Sequence, residues 1–285
     1  MTVVEALPQT RTEATLLGGR YRLVERLGRT GGIPVWQATD EILRRPVTAH
    51  LLPAWVPVQP GVAAAVQAGA QVTDTRIATV YDADYSAGRP YIVSEWAGDP
   101  DLEQLLLTGL PSPGLAALIV ADAAAAIAAA HIAGRPHLCL GPRSLHWGRG
   151  GIKVTGLGID AALSGTYSSN PAVTDTTDLA RILYALLTGY WPGEKNTVLP
   201  TATRSPAGFP EPRRIRPGVP SILNAITCHA LHGQPGWGEP SIFTPAQLAA
   251  ALRSAQRSML ECAVSPAQRA GRFGVHGSRA TVRSC

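Results

Sequence analysis

Residues 21 to 52 alternate apolar and polar positions in short runs broken by turn formers: YRLVERLG, RTGG, IPVWQATD, EILRRP and VTAHLL follow one another. A period of two with such punctuation predicts antiparallel strands joined by hairpins. GVAAAVQAGAQV, residues 61 to 72, has helix-forming composition, and ATVYDADYSAGRPYIVSEW predicts two more strands around a glycine-containing turn. Beyond Gly98 the period becomes helical, in DLEQLLL, in the alanine-rich run from Leu115 to His131, and in LARILYALLTG, SILNAITCHALH and TPAQLAAALRSAQ. The stretch from Leu115 to Ala133 is apolar almost all round, which predicts a helix buried at the centre of the second part. Residues 258 to 285 show neither period, and their Gly, Ser and Arg content predicts a flexible tail. The fold class expected is α+β, a β-rich first part followed by an α-helical second part.

Of the 285 residues 45% are hydrophobic and 16% charged, enough apolar material for a sizeable core and too little charge for wholesale disorder. The length suits one large domain or two small ones. The N-terminus, MTVVEALPQTRTE, has no basic region ahead of an apolar one, so no secretory signal is readable. Prolines 46, 53, 57 and 60 interrupt one apolar stretch and Asp122 another, and no transmembrane helix is expected. Cys139, Cys228, Cys262 and Cys285 lack CxxC spacing, as reduced thiols of a cytoplasmic compartment do. The formal charge of +5 invites a nucleic-acid reading, but its placement argues against one: from Arg253 onward six arginines accompany Glu261 alone, which leaves residues 1 to 252 without net charge. Only Lys153 and Lys195 are lysines, so any lysine-dependent chemistry must use one of those two.

The order of segments resembles the two-lobed protein kinase fold, of the bacterial serine/threonine receptor-kinase type, over about residues 19 to 257. YRLVERLG with VWQATDEILRRPVTAHLL looks like the Gly-rich loop and lysine strand, RPYIVSEWAG like the hinge, and HLCLGPRSLHW like the catalytic loop. IKVTGLGIDAAL looks like the metal-binding segment, TDTTDLARILYALLTGYWP like the long central helix, and RPGVPSILNAI and TPAQLAAAL like the closing helices. The resemblance divides the chain into an N-terminal extension (1–18), an N-lobe (19–97), a C-lobe (98–257) and a basic tail (258–285).

Set against that family's chemistry, most key positions are changed. Gly28 keeps the first glycine of the phosphate loop, while Thr30 and Ile33 stand where the other two belong, and Pro34 removes an amide donor. The strand lysine aligns with His50, whose neutral imidazole supplies no permanent charge. Its glutamate partner is also missing, because no Asp or Glu occurs from Leu51 to Thr73. His137-Leu138-Cys139 occupies the place of His-Arg-Asp, Ser144 that of the catalytic-loop asparagine, and Gly156 that of the metal-binding aspartate. Only residues 159 to 174 separate Gly156-Leu157-Gly158 from Asp175, with no Ala-Pro-Glu motif. Phosphoryl transfer rests on positioning and charge neutralisation, so the resemblance implies a kinase fold without kinase chemistry, with no cofactor and no metal. Asp175 matches the residue that hydrogen-bonds the catalytic-loop backbone, and Asp178, one turn on, is the alternative. Without an ionic tether, Val62, Val66 and Val72 are expected to hold the N-lobe helix by apolar contact, and Ile33 and Leu157 to fill part of the cleft.

Smaller constellations have plain structural readings beside chemical ones. Cys139 with His137 suggests a nucleophile and its base, and Cys228 with His232, at i and i+4, a metal pair; buried or half-buried structural residues are the simpler account of both. Trp147, Trp191 and Trp237 fit a core or groove better than base stacking. Among inactive kinase relatives the chain most resembles the kinase-homology domain of the actinobacterial MviN-type lipid II flippase proteins. That resemblance implies a pseudokinase scaffold. A receptor-type Ser/Thr kinase would phosphorylate it on threonine, and a forkhead-associated (FHA) domain protein would then bind, regulating peptidoglycan synthesis. It also implies a place at the cytoplasmic face of the plasma membrane, through a covalently linked membrane protein not present in this chain. Candidate acceptors are Thr281 in the tail and Thr174, Thr176 and Thr177 near the shortened activation segment. The alternatives are an atypical kinase with residual ATP binding through His50 and a nucleic-acid-binding protein acting through its basic tail.

Overall fold

The alternation in the first part becomes a meander of antiparallel strands. In the computed structural model, which describes residues 16–53, 60–86, 88–98, 100–194, 197–206, 208–232 and 242–270, six strands form one sheet. They are β1 (Leu16–Leu17), β2 (Tyr21–Thr30), β3 (Ile33–Asp40), β4 (Arg45–Leu51), β5 (Val80–Asp84) and β6 (Tyr91–Glu95), in the order β1-β2-β3-β4-β6-β5. Gly31 and Gly32 both have positive φ, 53° and 79°, and Thr30 pairs with Ile33, so β2 and β3 reverse through a two-residue turn that side chains disfavour. Asp40 fixes the next turn. It is buried, accepts bonds from Arg20 at 2.9 and 2.7 Å, and caps the amides of Ile42 and Leu43. The Arg20 guanidinium holds its carboxyl down to about 2.

Period-two alternation gives the sheet two apolar faces. Val47 and Ala49 of β4 join Leu17, Tyr21, Ala38, Tyr91 and Val93 on one side. On the other, Leu52 and Ile92 meet Val62 and Val66 of helix α1 (Pro60–Gly69) and Ile159 from the C-lobe, with Ile33 packed against them. Two of the three valines expected to tether the helix do so; Val72 lies past the helix end and packs into the C-lobe core instead. The sheet also starts earlier than expected, because Leu17 is buried in it, so the N-terminal extension is shorter than residues 1–18.

The C-lobe contains α2 (Leu102–Thr108), α3 (Pro113–Ile132), β7 (Leu145–Gly148), β8 (Gly151–Val154), α4 (Asp160–Ser164), α5 (Pro171–Thr188), α6 (Pro212–Ile215), α7 (Ser221–His232) and α8 (Pro245–Ala270). Ser112 opens α3 by accepting from the Leu115 amide at 3.2 Å, with Pro113 in the first turn. Helix α3 is the one described helix long and apolar enough to cross a membrane, and its residues lie in the core cluster shared with α5 and α8. Two expectations are corrected here. Helix α5 begins at Pro171, capped by Asn170, ahead of the TDTTD run with which the resemblance starts it. Helix α8 continues to Ala270, so residues 258 to 270 are helical: Leu248, Leu252 and Ala255, fully buried, anchor its first half, and extending a formed helix costs less than nucleating one. Residues 271 to 285 lie outside the described residues.

Candidate functional site

The segment His137 to Ser144 hangs from helix α5. Asp175, fully buried, accepts from the His137 amide at 2.8 Å, the Leu138 amide at 2.7 Å and His131 Nε2 at 2.7 Å. Leu138 has φ +63°, costly for a branched side chain, and the bond to Asp175 holds it there. Asp178 does not share this work. It pairs with Arg181 at 2.7 Å, and burial pushes its carboxyl up to about 7. His137 is buried, with Nε2 donating to the Thr155 carbonyl at 2.8 Å and Nδ1 accepting from the Cys139 amide at 3.3 Å. Both ring nitrogens are engaged, and burial lowers its pKa.

That geometry removes the nucleophile reading of Cys139. No nitrogen of His137 is open to its thiol, the sulfur lies 3.3 Å from Thr166 Oγ1, and burial raises the thiol pKa. Ser144, also buried, accepts from the Gly141 amide at 3.0 Å and donates to the Cys139 carbonyl at 3.3 Å, so its hydroxyl braces the loop from inside.

On the N-lobe side His50 lies opposite Val35 on one neighbouring strand and Ile92 on the other. Its side chain is buried, Nδ1 has no hydrogen-bond partner among the described residues, and desolvation lowers its pKa to about 4. It is a neutral ring in an apolar layer. Lys153, on β8, is far from this role in bonding terms: its Nζ donates to the Thr75 carbonyl and to Glu95 Oε1, each at 2.7 Å, and ties β8 to the end of β6. Lys195 lies outside the described residues.

Two residues that the sequence reading did not single out, Arg143 and Asp160, lie against Gly28 and Gly156. Gly156 has φ +83°, and the amides of Ile159 and Asp160 both bond its carbonyl, at 3.0 and 2.9 Å, starting a turn. This turn folds Asp160 back so that its carboxyl covers the space a Cβ at 156 would need. Desolvation pushes that carboxyl up to about 7, against the opposing effects of Thr30, at the β2–β3 hairpin, and of Arg143. Arg143 donates to the Leu27 carbonyl at 3.3 Å, stands 3.9 Å from Glu103 Oε2, and fills the place of a side chain at Gly28. The signal for Asp160 was present: it is the only carboxylate between Lys153 and Asp175. Its role was not, because it depends on the turn at Gly156.

The remaining candidates separate. Leu157 and Ile33, expected to fill part of the cleft, fall in different clusters: Leu157 is buried in the C-lobe core and Ile33 partly buried beside α1. Cys228 is half-buried, with its thiol pushed up to about 11 by burial, and among the described residues no group of three His, Cys, Asp or Glu side chains is placed to hold a metal. Trp191 is buried, its Nε1 donating to the Glu194 carbonyl at 3.1 Å; Trp147 packs against the C-lobe core, and Trp237 lies outside the described residues. Thr174, Thr176 and Thr177 are all in α5 rather than in an open segment. Thr176 is buried and donates to the Ala172 carbonyl at 2.7 Å, which closes it to a modifying enzyme in the folded helix; Thr174 and Thr177 are partly exposed. Thr281 lies outside the described residues.

No protein-family model matches the chain. It is 34% identical over 163 residues to the probable serine/threonine-protein kinase SCO3848 of Streptomyces coelicolor, covering 53% of this chain and 24% of that protein. It is 23% identical over 261 residues to the serine/threonine-protein kinase PknL of Mycobacterium bovis, covering 82% and 65%. The chain thus spans between about a quarter and two thirds of the length of these curated relatives. The solved kinase domain of Mycobacterium tuberculosis PknI superposes with a TM-score of 0.61 at 19% identity, covering 84% of this chain and 97% of that one. Rad53 in complex with AMP-PNP superposes at 0.63 and 15% identity, covering 81% and 64%. The fold is the two-lobed protein-kinase fold, and the sequence relatives are bacterial Ser/Thr protein kinases.

Proposed function

We propose that this kinase-fold chain is a binding platform that transfers no phosphate. The observation that carries the reading is the state of the cleft: a buried, neutral His50 stands at the strand position where nucleotide binding needs a permanent cation, and its pKa near 4 keeps it neutral at cellular pH. Gly156, Cys139 and Ser144 offer no carboxylate or amide for magnesium at their positions. The support for the loop, by contrast, is kept by Asp175. A fold held without its charge-neutralising groups suits recognition of another protein.

The partners in this proposal come from the resemblance to the MviN-type flippase domains. A receptor-type Ser/Thr kinase modifies a threonine, an FHA-domain protein docks on it, and the complex regulates peptidoglycan synthesis at the cytoplasmic face of the membrane. Phosphate supplies about −1.5 to −2 charges and strong acceptor oxygens for such a partner. Thr281, Thr174 and Thr177 remain as acceptors; Thr176 does not, for the reason its burial gives. Pull-down of an FHA-domain protein before and after treatment with a receptor-type kinase tests the partner claim, with mass mapping of the modified threonine. Capture that is equal with and without phosphorylation refutes it. A second reading, an atypical kinase with residual ATP binding, draws support from relatives that are named as Ser/Thr kinases. Phosphate transfer by the purified chain to itself or to a generic basic protein would establish that reading over the first.

A further inference from the structure

The glycines that remain at the phosphate end do not face an open space. At Gly28 an added Cβ would run into the Arg143 guanidinium, and at Gly156 into the Asp160 carboxyl. At Gly31 it would meet the Leu163 carbonyl carbon and oxygen at 2.7 Å and the Ser164 amide nitrogen at 2.9 Å. Each of the three admits a group from across the lobe boundary or from the turn that follows it. Gly28 and Gly31 belong to the N-lobe hairpin, whereas Arg143, Leu163 and Ser164 belong to the C-lobe, so the hairpin tip rests directly on α4.

The contacts are polar as well as close. Asp160, the first residue of α4, sets its carboxyl against Gly156. Arg143 reaches from the catalytic-loop segment to the Leu27 carbonyl on β2, while Glu103 of α2 stands behind it at 3.9 Å. Ile159, next to Asp160, is buried with Val62, Val66, Leu52 and Ile92, so the same segment also joins α1 to the C-lobe through an apolar contact. A bound nucleotide is one way to bring a glycine hairpin down onto the C-lobe; here a cation and a carboxyl of the chain itself occupy that junction.

We propose that the β2–β3 hairpin is a clasp seated on the C-lobe by the close approach of Gly31 to Leu163 and Ser164 and by Arg143 with the Leu27 carbonyl, holding the closed lobe arrangement with no nucleotide present. The clasp goes beyond the absence of phosphate transfer, since a chain that fails to transfer phosphate need not be closed. It presents one fixed surface across both lobes, as a recognition platform requires, because ordering is completed before a partner arrives.

Hydrogen exchange of the full chain without nucleotide reads the clasp directly. The peptide spanning residues 24 to 35 is compared with an internal reference from α3, and Arg143→Ala and Arg143→Gln are measured beside the parent chain. The expected result is slow exchange of this peptide in the parent. In each variant it accelerates about tenfold or more, while α3 is unchanged. Two results overturn the proposal: hairpin exchange in the parent as fast as in a freely exposed turn, which needs no variant to be read, or equal hairpin exchange in parent and variants. Nucleotide titration is independent of this readout, so an open hairpin in a chain that binds no ATP would sink the clasp alone, and a protected hairpin in a chain that binds ATP would sink only the platform reading.

Discussion

The loop from His137 to Ser144 in the C-lobe and the β4 strand at His50 in the N-lobe treat buried polar groups in opposite ways. Around the loop, Asp175 satisfies two backbone amides and an imidazole, His137 uses both ring nitrogens, and Ser144 braces two backbone groups. At His50 the ring is buried, with Nδ1 unpartnered among the described residues, between Val35 and Ile92. A buried polar group without a partner costs free energy, whereas a connected network specifies one geometry. The difference teaches that the loop is held in one geometry by a connected polar network, while the strand position at His50 sits in an apolar layer.

The largest effect that sharpens this contrast is expected from Asp175→Ala. It leaves the His137 and Leu138 amides and the His131 ring without their acceptor, and it frees Leu138 from its positive φ. A loss of about 3 to 5 kcal/mol in urea unfolding is expected, with Asp175→Asn recovering part of it. A loss below about 1 kcal/mol would mean that the loop does not hang from α5.

At the strand, His50→Lys places an ammonium where no described acid reaches, and a cost of about 2 to 4 kcal/mol is expected, without any gain of ATP affinity. If the substitution instead stabilises the chain in the presence of ATP and magnesium, the apolar account of this layer fails. His50→Leu should be neutral or stabilising, because it removes the unpartnered nitrogen.

How much of this was legible follows from the same two regions. The sheet and the central helix were readable because alternation in Tyr21–Leu51 and the unbroken apolar run of α3 are local patterns that burial then obeys. Asp175 was readable as a loop anchor because it stands in a recognisable segment. Asp160 and Arg143 were not, since their roles arise from a turn at Gly156 and from a reach between lobes that no local period encodes. The tail was misread over residues 258 to 270 for the opposite reason: composition suggested irregular chain, but a helix already seeded by Leu248 and Leu252 continues through it.

Acidity separates the two regions by sign. His50 has a folded pKa near 4 against 6.5 for a free ring, so between those values the unfolded chain binds more protons and stability rises with pH. Its full contribution is present above about pH 6.5. As pH falls to 4, up to about 3 kcal/mol is lost, and His50→Leu should abolish that slope. Asp160 and Asp178, held near 7 against 3.8, act the other way: the folded chain keeps protons that the unfolded chain has released, so stability falls as pH rises from about 4 to 7. Asp178→Asn should flatten this limb in a chemical-denaturation series. An unchanged pH profile in both variants would remove the contrast.

The smallest effect is expected at the rim. Arg181→Ala breaks a half-exposed i,i+3 pair with Asp178 and should cost under about 1 kcal/mol, with the Asp178 limb of the pH profile extended to higher pH because the carboxyl loses its cation. A cost as large as that of Asp175→Ala would show that the two aspartates of α5 share one role, contrary to the division drawn between them.

The central claim, a kinase fold whose cleft no longer serves a nucleotide, is tested most directly by calorimetric titration of the purified chain with ATP and magnesium. The account predicts no saturable heat at millimolar nucleotide and no change in hairpin exchange. Saturable binding that His50→Ala or Asp160→Ala abolishes would contradict it.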